Sequence, residues 1–173
     1  MSSLIKKIEV SANIAIILLA ILLGVVLTKN YLWPRKDVGA PENRQRTMIQ
    51  PGAKAPLLNV DWEHNGQTLI LALSNDCHYC TESAAFYQKI VKQRQGKSLK
   101  VIAVFPQDIQ SGQDYLNRLG VAVDEVRQVP LSSIQVNGTP TLLLVDNQGV
   151  VKEVWVGKLP SDKESEALNK ITA

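Results

Sequence analysis

Cys77-His78-Tyr79-Cys80 holds both cysteines of a 173-residue chain, three positions apart. At that spacing two thiols can close a small disulfide ring across the first turn of a helix and open it again with little backbone movement. The flanks supply that helix and its approach. Thr68–Leu73 reads as a buried strand, and Glu82–Arg94 as an amphipathic helix with Phe86/Ile90 and Tyr87/Val91 as i,i+4 apolar pairs. The cysteine pair therefore sits where a strand hands over to a helix.

Thiolate chemistry gives that placement a purpose. Only the deprotonated sulfur attacks a disulfide, and a helix N-terminus favours negative charge. Cys77, nearest that terminus, is the expected nucleophile, and Cys80, one turn deeper, the thiol that resolves a mixed disulfide. His78 can add positive charge at neutral or mildly acidic pH and favour the Cys77 thiolate, while Asp76 pushes the other way. Two plainer readings compete. Half a zinc site would need further ligands, yet the only other histidine is His64 and there is no second cysteine pair. A purely structural staple of this size removes little entropy from the unfolded chain.

Outward from the pair, strands are expected near Leu57–Trp62, at Thr68–Leu73 after an Asn65-Gly66 hairpin turn, and at Leu99–Phe105. A helix over Ser111–Leu119 and a strand over Val121–Val126 follow. Then come Gly138-Thr139-Pro140-Thr141, an apolar run to Val145, the turn Asp146-Asn147-Gln148-Gly149, and a strand from Val150 to Val156. The last helix is expected to start at Ser161, with Glu164 completing a capping box. Helices alternating with strands make this a layered α/β domain. Trp62 and His64 fall beside the hairpin turn, where a half-buried indole and a solvated histidine are expected.

The CxxC and Gly138-Thr139-Pro140-Thr141 together resemble the thioredoxin superfamily. That resemblance implies a thioredoxin-like central sheet flanked by helices, with Pro140 as a cis-proline packed against the disulfide and Thr139 offering backbone groups to substrate. Cys77 and Cys80 become the catalytic pair, and His78, Tyr79, Thr139 and Pro140 their support. Pro51-Gly52-Ala53-Lys54-Ala55-Pro56-Leu57 resembles the opening of redoxin domains. The helix and strand inserted between the cysteines and the proline are similar to those of membrane-anchored oxidoreductases of bacterial envelopes. Three departures stand out. Asp76 replaces the tryptophan that often precedes the first cysteine. Ser83 stands where the envelope branch often has glutamate, with Glu82 one position earlier and read as a first-turn helix acid. The peroxiredoxin pattern is absent, since Leu71–Asp76 contains neither proline nor threonine.

Val10–Thr28 is a run of 19 uncharged positions rich in Ile, Leu, Val and Ala. At ~1.5 Å rise per residue it nearly spans a hydrocarbon core of ~30 Å. It reads as one N-terminal transmembrane helix acting as an uncleaved signal-anchor, with Tyr31 and Trp33 at the interface. The expected organisation is a tail and anchor over 1–33, a flexible linker over 34–54, and a thioredoxin-like domain over 55–173. These segments carry formal charges of +2, +3 and −2, so the chain's +3 belongs to the anchor and linker. An anionic membrane surface is its natural partner, not nucleic acid. The positive-inside count alone would leave the domain in the cytoplasm, because Lys29, Arg35, Lys36, Arg44 and Arg46 follow the span. Redox logic and the resemblance place it on the periplasmic, extracytoplasmic side of the bacterial cytoplasmic membrane, where disulfides persist.

The expected activity is that of a membrane-tethered thiol-disulfide oxidoreductase with no metal and no diffusible cofactor, only the redox-active Cys77–Cys80 disulfide. Its partners would be protein dithiols and disulfides, apocytochrome c among them by resemblance, and a membrane electron donor or acceptor. The alternatives are a copper- or haem-handling chaperone using the thiols with His78 or His64, and a thiol-dependent peroxidase. The direction of electron flow depends on the potential and the recharging partner, not on the motif.

Overall fold

The structure, a computed structural model, describes residues 16–24, 48–96 and 98–172. The chain divides into two units, Met1–Arg44 and Gln45–Ala173. In the first, residues 16–24 are helical and present Ile16, Ile17, Leu18, Leu19, Ile21, Leu22 and Leu23 outward. Among the described residues no helix is long and apolar enough to cross a membrane. The rest of the expected span, Val10–Thr28, lies outside them, as do Tyr31 and Trp33.

In the second unit, strand β1 (Gln67–Ala72) lies at the centre of a five-stranded sheet of order β3-β2-β1-β4-β5. Its near-continuous apolar run is what a strand covered on both faces requires. It pairs in parallel with β2 (Leu99–Phe105) and antiparallel with β4 (Thr141–Val145), so that Ile70 faces Ile102 on one side and Leu143 on the other. Beyond β2 runs β3 (Glu125–Gln128), parallel, and beyond β4 runs β5 (Val151–Val156), antiparallel.

Alternate residues of β1 face two different cores, as the period of two in a strand dictates. Leu69 and Leu71, and Leu73 just past the strand's end, point to a helical side built from α3 (Ala84–Gln93), α4 (Ile109–Arg118) and α5 (Ser161–Thr172). That side buries Phe86, Tyr87, Ile90, Tyr115, Leu116, Ala167 and Ile171, and Cys80 with them. Helix α4 can sit against β2 because its residue 112 is glycine. A Cβ there would come within 2.8 Å of the Phe105 ring.

Ile70 and Ala72 face the opposite core, which no long helix among the described residues covers. Its lid is Ile49, Leu57, Val60 and Trp62 from the segment before β1, together with Ile134 and Val136 in and after the 3₁₀ turn Leu131–Ile134. Ile49 donates its N–H to the Gln135 carbonyl at 3.0 Å, and Gly52 N–H reaches the Val151 carbonyl at 2.8 Å. Ile49 and Gly52, inside the stretch 34–54 expected to be a flexible linker, thus hydrogen-bond to the domain.

Five other expectations shift. Leu57–Trp62 is not a strand and Asn65-Gly66 is not a hairpin turn. Asp61 instead caps a short helix, α1 (Trp62–Asn65), by accepting the His64 N–H, and both neighbours of β1 come from later in the chain. Trp62 is half-buried and His64 exposed, as expected. The inserted helix begins at Ile109, where Asp108 accepts from Ser111 N–H at 2.9 Å, and the inserted strand lies at Glu125–Gln128. Ser161 and Glu164 form no capping box: Pro160 supplies the carbonyl that accepts Glu164 N–H, and Glu164 pairs with Lys89.

Candidate active site

The parallel strands β1, β2 and β3 end at the same edge of the sheet, and Ser74–Cys80 follows from the end of β1. Ligand sites in open α/β sheets collect at such carboxyl ends. There Cys77 is the N-cap of α2 (His78–Glu82), extended at φ −93°, ψ 108°, with its sulfur accepting the Cys80 backbone N–H at 3.1 Å. The helix expected over Glu82–Arg94 therefore starts earlier and has a break. Ser83, with φ −85° and ψ 2°, separates α2 from α3, and its buried hydroxyl donates back to the Tyr79 carbonyl at 2.8 Å. That hydroxyl satisfaction inside the turn is the local competition with helix continuation expected of serine.

Cys77 and Cys80 form a disulfide with their Cα atoms 5.2 Å apart. The two sulfurs differ in access. Cys77 is half-exposed, whereas Cys80 is fully buried among the helical-side core residues. A reagent or client can approach Cys77 and not Cys80, the order that the attacking and resolving roles demand.

The loop before β4 forms the other wall. The Thr139-Pro140 peptide is cis. Pro140 is buried, and the Thr139 carbonyl oxygen lies 3.3 Å from Cys77 Sγ. Thr141 Oγ1 donates to the Gly138 carbonyl at 2.7 Å, and Gly157 N–H donates to the Pro140 carbonyl at 2.7 Å, which ties this loop to the end of β5. Two opposed contacts thus bear on the Cys77 sulfur. The Cys80 N–H favours a thiolate there, and the Thr139 carbonyl, which can only accept, favours the neutral thiol of the reduced protein.

His78 and Tyr79 project from the helix between the cysteines, largely exposed, with their rings 5.9 Å apart. His78 Nε2 lies 3.0 Å from Glu82 Oε1, and Lys158 Nζ lies 3.0 Å from Glu82 Oε2. The hydrogen bond from Lys158 is the main reason that the Glu82 carboxyl titrates below the usual range, with His78 a smaller contributor. Glu82 is therefore not a first-turn helix acid, as its sequence position suggested. It closes α2 and joins it to the loop after β5.

Two site residues escaped the sequence reading. Gln107, just past the end of β2, donates to Ser74 Oγ at 2.9 Å and to Asp76 Oδ2 at 3.3 Å, so it holds the turn leading into Cys77. Lys158 is brought in by the β5–α5 loop. The parallel pairing of β1 with β2 is the signal that would have found Gln107, since it brings both strand ends to one edge; no local signal marks Lys158. A separate apolar groove of about 510 Å³, lined by Leu57, Leu58, Ile109, Arg127 and Val129, opens beside β3 and contains neither cysteine. The described residues contain no cluster of three or more His, Cys, Asp or Glu arranged to hold a metal.

No protein-family model matches the chain, and no curated protein does either. Solved structures do. The thioredoxin domain of a thiol-disulfide oxidoreductase from Bacteroides vulgatus superposes with a TM-score of 0.58 at 16% identity, over 72% of this chain and 99% of that one. A putative thiol:disulfide interchange protein DsbE from Chlorobium tepidum gives 0.59 at 20% identity, over 72% and 98%. A thiol-disulfide isomerase from Corynebacterium glutamicum gives 0.53 at 13%, over 75% and 97%. The fold of the domain is thus thioredoxin-like, as the motifs implied.

Proposed function

We propose that the protein is a thiol-disulfide oxidoreductase that exchanges electrons with protein thiols and disulfides through Cys77 and Cys80. The observation that carries this reading is the asymmetry of the pair: an accessible Cys77 sulfur at a helix cap, accepting the Cys80 N–H, above a Cys80 that is fully buried. In the reducing direction the Cys77 thiolate attacks a client disulfide, forming one S–S bond while the client's leaving sulfur departs as thiolate and takes a proton. Cys80 then loses its proton and attacks Cys77, closing the internal disulfide and expelling the second client thiol. Two electrons and two protons pass to the client, and oxidation is the same path in reverse. The exposed His78 and Tyr79 border the approach, and the Thr139-Pro140 backbone beside Cys77 is placed to meet an extended client segment.

On this reading no diffusible cofactor is needed. The exposed apolar side chains of residues 16–24 and the uncharged run Val10–Thr28 support a single-pass anchor. We place the domain on the extracytoplasmic side of a bacterial cytoplasmic membrane, where protein disulfides persist and apocytochrome c is a fitting client. A membrane electron donor or acceptor would recharge the pair.

The test is disulfide exchange on a model protein disulfide by the full chain. Wild type should turn over, Cys77→Ser should be inactive, and Cys80→Ser should accumulate mixed disulfides. Equal rates for wild type and Cys77→Ser would end the reading. Protease added to spheroplasts should digest the domain, and protection until lysis would reverse its orientation.

A further inference from the structure

The charged groups around the cysteine turn are few and their positions are specific. Asp76 precedes Cys77 and is held by the Gln107 amide. His78 follows Cys77, Glu82 ends the same short helix, and Lys158 reaches over from the β5–α5 loop. A histidine next to the nucleophile can raise the local positive potential only insofar as its charge is not taken up elsewhere. Here the imidazole is drawn toward the C-terminal end of α2, with Nε2 at 3.0 Å from Glu82 Oε1, while Cys77 caps the opposite end. Lys158 is committed to the same carboxylate at 3.0 Å, and Gly157 beside it donates to the Pro140 carbonyl. The His78 imidazole and the Lys158 ammonium are thus both turned to one acid.

We propose that Glu82 is a positioning residue that draws the His78 and Lys158 charges away from Cys77, lowers the thiolate population there, and so makes the disulfide less oxidising. This rests on the proposed exchange function for its meaning, though not for its measurement. The groups are exposed, so the effect is the modest one of surface ion pairs: neutralising Glu82 should raise the Cys77 thiolate fraction about two- to fivefold below its midpoint. It should also fade in ~1 M salt, where the Debye length falls to ~3 Å.

The experiment is a pH profile of iodoacetamide alkylation at Cys77, located by mass spectrometry, on the reduced full chain. Wild type, Glu82→Gln, His78→Gln and the double variant are compared at low and high salt. The expected result is that Glu82→Gln shifts the profile to lower pH, at least twice as strongly with His78 present as in the His78→Gln background. An effect of Glu82→Gln that is absent, of opposite sign, less than twofold greater with His78 than without it, or unchanged by salt overturns the proposal. The alkylation profile does not depend on turnover. Loss of all client exchange in the wild type would count against the oxidoreductase reading, and the profile would still decide the role of Glu82.

Discussion

The sheet edge that carries the cysteines and the segment that covers the sheet face away from the long helices do different work. At the edge, Ser74–Cys80, Gln107, Thr139-Pro140 and Lys158 meet through directed polar contacts to partly exposed atoms. Across the sheet, Ile49, Leu57 and Val60 contribute burial to the core and no side-chain chemistry. The difference teaches that stability and chemistry are separable in this domain, and mutations should separate them.

The largest effect expected is on chemistry alone: Cys77→Ser should abolish exchange while the reduced variant melts within a few degrees of the reduced wild type, checked by turnover and calorimetry. A collapse of folding in that variant would erase the separation. The converse is Ile49→Ala, which removes a fully buried side chain from the covering segment and should cost about 2–5 kcal/mol in denaturant unfolding, with the exchange rate per folded molecule unchanged. A changed exchange rate would show that the two faces are coupled through β1.

A smaller effect is expected at Asp124, which lies on neither face but ties the strand ends together. Its carboxylate is bound by Arg94 and accepts the Val101 N–H at 2.7 Å. Partial burial raises its pKa, but the bonds from Arg94 and Val101 outweigh that and hold it below the usual carboxylate range. Since the folded pKa is the lower one, the stabilisation is complete above the unfolded value and is lost as pH falls through the folded value. Asp124→Asn should therefore cost about 1–2 kcal/mol at neutral pH. The gap from wild type should narrow in acid; a pH-independent gap would contradict the ionic origin. The smallest effect of the set belongs to the Glu82 network on the edge itself.

The edge was also the more legible region. Cysteine spacing and the Gly-Thr-Pro-Thr sequence are local features, and the runs of β1 and β4 are apolar enough to declare buried central strands. The covering segment deceived because Leu57–Trp62 has the composition of a short strand, while its shape is decided by Asp61 turning back to cap α1 and by β1 already having two neighbours. The break at Ser83 was illegible for a similar reason: a serine inside a helical pattern shows no sign of whether its hydroxyl will return to the backbone. Ile49 looked like linker because its own neighbours in sequence show no sign of a partner, and only contacts far along the chain, from its N–H to Gln135 and from Gly52 to Val151, hold the segment on the core. A contact between distant segments explains the miss at Ile49, whereas those at Asp61 and Ser83 come from side chains turning back on their own backbone.

The central claim is that Cys77 attacks and Cys80 resolves, and the most direct measurement is competitive alkylation of the fully reduced chain with a limiting thiol reagent, read site by site in mass spectra. The expected result is labelling of Cys77 well ahead of Cys80, with Cys80 reacting only as the protein unfolds. Equal labelling of the two, or earlier labelling of Cys80, would contradict it.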